Sequence, residues 1–376
     1  MVRGLVALEQ DRARAEPLLT QLRAGMRGWQ DLTKPERRLL SRGPLIDFFL
    51  ETSYSLRFDD PPAMLSFAKA ACAVADQMDF RRYGKEIVAD LRARAWAELA
   101  NAFRVLDDLE QAGVAYARAQ ELLAEGTRSS LLVARVSELM AKYLTDLRRF
   151  PDAASLLEQA NDLYAACGEG SGVERSLLSL AHVLTQSNEP ERAVIAYLRV
   201  LRRIAPNSSH LLASIHGLAL NLAESGHGEV AQSLVNRYRR LYRRSGRLNE
   251  YRLLWLEGKI ALGLQHYGRA EAKLNTARLA FLRVDQTYDA ALVSLDLAWL
   301  YAREGRRTEV VWLVDQMLRT FRTLGIARES IASLVLLKKS CEAKRPIEAL
   351  CGQIESLAKL MPELRQKGRG RSGSAE

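Results

Sequence analysis

Apolar residues recur at helical spacing along almost the whole chain, and the clearest instance runs from Trp96 to Ala119. Trp96, Leu99, Ala100 and Phe103 form an i, i+3, i+4, i+7 stripe, which puts all four on one helical face. Asp107 and Asp108 interrupt it, and a second stripe of Ala112, Tyr116 and Ala119 follows. Small residues let two helix backbones approach, and large ones fill the space that remains. The pattern predicts a helical hairpin with one apolar face still uncovered, so it needs neighbours of its own kind.

Those neighbours are visible as a repeat. The small residue at the start of each second helix falls at Ala63, Ala112, Ala153, Ala193, Ala231, Ala270, Val310 and Ala349, with gaps of 49, 41, 40, 38, 39, 40 and 39 residues. Other positions keep step. Leu99, Met140, Leu180, Leu218, Leu297 and Leu336 share one place on the first helix, and Ala100, Ala141, Ala181, Ala219, Gly258 and Ala298 follow them. On the second helix, Phe67, Tyr116, Leu157, Tyr197, Val235, Leu274 and Val314 correspond. Glu257 stands where a leucine is expected, and Leu337 replaces the small residue in the eighth hairpin, as suits an end unit that must face water. Prolines and glycines at Asp59–Pro62, Pro151, Asn188–Pro190 and Gly226–Gly228 sit where turns are required. The long first gap holds Phe80–Gly84, which reads as an extended first helix or a loop. Gly168–Gly172 lacks the lysine and strand–helix context of a phosphate loop and reads as an inter-repeat turn.

Trp96, Leu99, Ala100, Phe103, Ala112, Tyr116 and Ala119 resemble the tetratricopeptide repeat (TPR), with Ala124 in place of its closing proline. The resemblance implies an all-α, right-handed superhelical α-solenoid of about eight TPR-like helical hairpins. The usual repeat has about 34 residues; a period near 40 implies helices roughly a turn longer. Through the phrases Glu9–Pro17, Tyr288–Ala298 and Phe321–Glu329, residues 44–340 also look like the long TPR-type sensor region of bacterial helix-turn-helix regulators. The chain departs from that family at its start. No two short helices in residues 1–58 show the tight turn and apolar pattern of a DNA reader.

The flanks read differently from the array. Residues 1–43 form an N-terminal helical segment, in which a helix over 4–27 is interrupted near Pro17 because proline removes a backbone donor. Thr33 and Glu36 form a capping box for a short helix that ends by Gly43-Pro44. The array occupies 44–361. Residues 362–376 have almost nothing to bury and are expected to be a disordered basic tail.

Composition narrows the function. An apolar content of 48% is ample for a continuous core, no apolar run reaches the roughly 18 residues of a membrane span, and the first ten residues do not make a signal peptide. Cys72, Cys167, Cys341 and Cys351 are scattered without a CxxC, which points to reduced, packed thiols and a cytoplasmic location. His182, His210, His216, His227 and His266 share no ligand spacing, and no HExxH, GxSxG, GxGxxG or Walker-type loop occurs. The chain therefore reads as non-enzymatic, with no metal and no cofactor.

The net charge of +10 favours acidic partners. The TPR resemblance implies that positions two, five, nine and twelve of each repeat face a concave groove. Carried over residue by residue, these positions give Arg94, Asn101, Arg104, Arg135, Lys142, Arg175, His182, Arg252, Trp255, Lys259 and Trp299 as groove candidates, with Glu138 and His216 beside them. Guanidinium and ammonium groups at such places form charge-assisted hydrogen bonds to carboxylates. The expected function is a protein-interaction scaffold or sensor in a bacterial regulatory pathway, with an acidic peptide or protein as its partner and no membrane contact. The alternative is nucleic-acid binding or transcriptional regulation through an arginine-rich outer surface of Arg199, Arg202, Arg237, Arg240 and Arg244, where Tyr238 and Tyr242 interleave with the arginines.

Overall fold

Seven of the hairpin turns are each built on one residue with a left-handed backbone. In the computed structural model, which describes residues 2–57, 59–205, 207–208, 210–323 and 328–369, Asp107, Arg148, Asn188, Gly226, Gln265, Gly305 and Lys344 have φ between 52° and 84°. The next residue's N–H then reaches back five positions to a carbonyl that the helix end leaves unpaired. Examples are Asp108 to Phe103 at 3.0 Å, Arg149 to Leu144 at 2.8 Å and His227 to Leu222 at 2.7 Å. This is the Schellman closure of a helix C-terminus.

The helices so separated number nineteen among the described residues, and no strand occurs there. By internal contacts the chain divides into Met1–Ser176 and Leu177–Glu376. The first unit contains α1 (Val2–Arg23), α2 (Lys34–Leu40), α3 (Pro44–Ser55), α4 (Pro61–Asp76), α5 (Phe80–Tyr83), α6 (Lys85–Val105), α7 (Leu109–Glu125), α8 (Ser130–Asp146) and α9 (Phe150–Ala166). The division falls within α10 (Gly170–Gln186). The second unit continues with α11 (Pro190–Leu201), α12 (Leu211–Glu224), α13 (Gly228–Arg244), α14 (Arg247–Gly263), α15 (Tyr267–Leu282), α16 (Thr287–Arg303), α17 (Arg307–Thr323), α18 (Arg328–Glu342) and α19 (Ile347–Arg369). Within the first unit α3 packs on α4, α6 on α7 and α8 on α9; within the second, α12 on α13, α14 on α15, α16 on α17 and α18 on α19.

The repeat positions form the core. Ala112, Ala153, Ala193, Ala231, Ala270 and Val310 are completely buried, as are Ala100, Ala141, Ala181, Ala219 and Ala298. At Gly258 a Cβ would lie 2.6 Å from Leu274 Cδ2, which is why glycine serves there. Tyr116 donates its buried hydroxyl to the Leu139 carbonyl at 2.9 Å and ties the second hairpin to the third. The terminal hairpins depart from the expected register. Leu350 and Leu337 are buried where Ala349 and Leu336 were expected, and Leu336 is 52% exposed. The turn around Lys344 contains one residue more than the six hairpin turns before it, ending in Pro346, and α19 starts one position late. In the first hairpin Met64 is buried while Ala63 is half-buried.

The N-terminal segment packs into the first unit. Leu8 shares a core with Ile46, Leu50, Met64 and Tyr83, and Leu19 packs with Leu32, Leu40 and Leu45. The capping box at Thr33 and Glu36 forms. Helix α1, however, runs unbroken through Pro17, because Pro17 and Ala13, whose carbonyl loses its donor, both lie on the exposed face. Phe80–Tyr83 is a separate single turn rather than part of a long helix. Helix α19 likewise continues through Pro362 to Arg369, where an unstructured tail was expected to begin, since a helix propagates cheaply beyond its packed part. Residues 370–376 of that tail lie outside the described residues.

The left-handed turns yield a paired expectation. No atom comes within 4 Å of a Cβ added at Gly226, so Gly226→Gln costs only the backbone strain, about 1 kcal/mol. Gln265→Gly recovers a smaller amount, because glycine also gains entropy in the unfolded chain. Urea denaturation midpoints should fall for the first variant and rise for the second; identical midpoints would remove the turn strain from the account.

Candidate binding site

In the first unit the expected groove residues converge on carboxylates rather than standing free. Glu138 on α8 has no exposed surface and is surrounded by three cations: Lys142 Nζ at 3.1 Å, Arg135 at 3.3 Å and Arg175 Nε at 3.5 Å. Tyr164 donates its hydroxyl to the same carboxylate at 3.1 Å. Burial pushes a carboxyl up, but the charges of Lys142, Arg135 and Arg175 overcome it and hold Glu138 at about 2. Arg135 also grips Glu98 at 2.7 Å, and Arg104 pairs with Asp146 at 2.9 Å while donating to buried Asn101 at 3.1 Å. Arg94 bonds Asp47, the residue that also holds Arg12 at 2.8 Å.

Arg12, Arg94 and Arg135 meet around a cavity of about 410 Å³ between α1, α6 and α8. Its remaining lining is largely apolar: Leu5 and Leu131, 44% and 43% exposed, with Leu8, Ile87, Leu91 and Leu132. Asp90 also reaches it, but its carboxylate already accepts from the Thr127 N–H at 3.1 Å. Sequence reasoning found Arg94 and Arg135 and missed the contribution of α1. Its signal was available in the acids and arginines of Glu9–Arg14.

The second unit repeats the principle. Trp255 donates its indole N–H to Asp296 and sets its ring edge-on to Phe281 at 6.3 Å. Lys259 lies between Glu224 at 3.2 Å and Asp296 at 3.9 Å; burial opposes its charge, but the two acids hold its pKa above the usual lysine value. Trp299 donates to Glu355 at 2.9 Å, Arg252 to Asn249 at 3.3 Å, and exposed His182 meets Gln186 at 2.6 Å. Both groove tryptophans are half-buried with satisfied N–H groups. Among the described residues the exposed tryptophan is Trp312 on α17, at 52%, with the Arg278 guanidinium 5.0 Å from its ring centre. Glu257, the exception to the leucine pattern, is buried between Lys273 at 2.7 Å and Arg239.

The outer arginines behave differently. Arg199, Arg202, Arg237, Arg240 and Arg244 are exposed and form no ion pair among the described residues. His216 faces the Tyr242 hydroxyl at 3.3 Å rather than a carboxylate. No group of metal-ligating side chains occurs among the described residues, and no helix is long and apolar enough to cross a membrane.

No family model and no curated protein matches the chain. Solved structures do. The apo form of RapI superposes over 97% of both chains with a TM-score of 0.59 at 13% identity. A Rap protein crystallised with Competence and Sporulation Factor covers 96% of this chain and 88% of its own, with a TM-score of 0.45 at 14% identity. BtubC from P. vanneervenii covers 62% of this chain and 90% of its own, with a TM-score of 0.46 at 17% identity. The chain has a TPR-like fold.

Within that fold, the buried titratable groups give two acid windows. His216 is neutral in the folded chain, held down to about 4 by burial and by the charges of Arg252 and Lys259. The unfolded histidine takes up a proton below pH 6.5, so stability is complete above 6.5 and declines, by about 3 kcal/mol, as pH falls toward 4. Glu138 ionises near 2 when folded and 4.5 when unfolded, so its contribution is complete above 4.5 and declines, by about 3 kcal/mol, as pH falls toward 2. Glu138→Gln leaves Lys142 and Arg175 without their acid and Arg135 with only Glu98, and should cost about 3–5 kcal/mol at neutral pH. Thermal melts across pH test both windows; a Glu138→Gln chain that melts with the parent would remove the cluster's structural role.

Proposed function

We propose that the chain is a non-enzymatic protein-interaction module whose cavity between α1, α6 and α8 receives a segment of a protein or peptide partner. The observation that carries this reading is the mixed lining: two exposed leucines, Leu5 and Leu131, beside the guanidinium groups of Arg12 and Arg94, which share Asp47. A peptide with apolar side chains and one or two carboxylates matches it in both respects. Apolar groups cover the leucines, while a carboxylate competes for charge-assisted bonds with two arginines that share an acid. On this reading the binding belongs to a bacterial cytoplasmic regulatory pathway, in keeping with the resemblance to the TPR-type sensor region of bacterial regulators.

A photoreactive amino acid at Leu131 tests this directly. In cells it should cross-link a partner chain, whereas the same group at Val114, 61% exposed on α7, should not. Adducts at 114 with none at 131 would move the interface to the second helices and sink the cavity reading.

A second reading rests on the arginine face of α11 and α13. Five exposed, unpaired guanidinium groups, with Arg237 5.7 Å from the Tyr238 ring centre, suit phosphates and stacked bases. Binding to random RNA or duplex DNA should then weaken steeply as salt rises. No affinity even at low ionic strength ends this reading.

A further inference from the structure

A second cavity in the first unit, about 550 Å³, lies where the end of α2 meets the turn between α4 and α5. Its lining includes Arg38, Arg42, Arg81 and Arg82 against a single carboxylate, Asp79. Asp79 is already engaged: its side chain accepts the Arg81 backbone N–H at 2.9 Å as the cap of α5. Arg82 is the anchor of the site. It makes a forked contact with fully buried Asp11, at 2.9 and 2.8 Å through one nitrogen and 3.1 Å through Nε. Tyr83 donates to the same carboxylate at 2.7 Å, and its oxygen lies 2.8 Å from the Arg42 carbonyl. Burial works against the charge on Asp11, but the bonds from Tyr83 and Arg82 hold it below its usual range. The buried acid of α1 thus holds Arg82 and Tyr83 of α5 in place at one side of the cavity.

Three rim arginines remain. The guanidinium groups of Arg38 and Arg81 are exposed and make no ion pair or hydrogen bond among the described residues, and Arg42 contributes only its field at Asp11. Three positive charges on one rim repel one another and add nothing to folding. A single carboxylate would leave two of them uncompensated. A phosphate group carries close to two negative charges and offers three oxygens to forked guanidinium donors.

We propose that this cavity is an oxyanion site for a phosphate group, borne either on a small molecule or on a phosphorylated protein side chain. It goes beyond the partner cavity of α1, α6 and α8, and the cross-link at Leu131 can succeed or fail independently of it.

Isothermal titration of the full chain with pyrophosphate, adenosine triphosphate, a phosphoserine peptide and its unphosphorylated twin tests the assignment, with citrate as a carboxylate control. At least one phosphate probe should bind while citrate and the unmodified peptide do not. Arg38→Ala and Arg81→Ala should each weaken it about tenfold or more, as expected for loss of a charge-assisted bond, whereas Arg240→Ala on α13 should not. Neither rim arginine makes a bond within the fold, so both variants should melt with the parent, which separates lost binding from lost structure. Binding of the small phosphates alone assigns a small-molecule ligand, and binding of the phosphopeptide alone assigns a modified protein. The proposal is overturned if no phosphate probe binds, if citrate binds equally well, or if both rim variants bind like the parent.

Discussion

Two helix backbones can approach closely only where nothing larger than a methyl group stands between them, and this fold repeats that condition in hairpin after hairpin. Ala112, Ala153, Ala193, Ala231 and Ala270 lose all exposure at the start of a second helix, and a small residue answers each from the first. Interiors packed to this density do not absorb an added side chain without moving backbone. Gly258 shows the limit, since even a methyl group there would collide with Leu274. Once the approach is set, the larger residues have defined spaces to fill: Tyr116 reaches the Leu139 carbonyl in the next hairpin, and Tyr164 reaches Glu138.

Charge has two roles in this packing. Glu138 and Glu257 are buried acids, each tolerable only because cations meet it: Arg135, Lys142 and Arg175 at one, Arg239 and Lys273 at the other. Taking a carboxylate out of water costs several kcal/mol, which only close, well-oriented partners offset. Much of what looks like a basic binding ladder in the first unit is therefore structural. Arg239 makes the same point inside the arginine-rich run of α13, where one guanidinium turns inward and its neighbours Arg237 and Arg240 remain in water.

The period near 40 was legible because small residues recur at the helix crossings, and burial follows that spacing from Ala112 to Val310. Register failed at the last hairpin for a local reason: one extra turn residue before Ile347 shifts the buried place from Ala349 to Leu350. Pro17 was overread as a break, because the cost of a lost backbone bond is small where water can replace it. That the groove arginines could pair with acids on adjacent helices was open from the sequence, but the partners were not legible because they lie far apart in sequence. The distances are telling. Arg135 meets Glu98 across 37 positions, Arg104 meets Asp146 across 42, and Trp255 meets Asp296 across 41. In a repeat array the residue one period away is a spatial neighbour, so an acid near that offset from a groove cation was the signal to look for.

This distinction sorts the arginines without reference to any partner. A guanidinium that holds a buried acid is explained by the fold and is a poor place to seek specificity, because changing it alters stability first. One that meets no acid adds repulsion and no packing, so it can change with little cost to the fold. In a solenoid, stability is close to a sum over neighbouring units, and surface charge away from the crossings can vary without disturbing them. The rim of Arg38 and Arg81, beside a base in which Asp11 holds Arg82 and Tyr83, is such a surface. Charge left unpaired beside an ordered base is what the proposed phosphate site uses: the ligand supplies the neutralisation that the fold withholds.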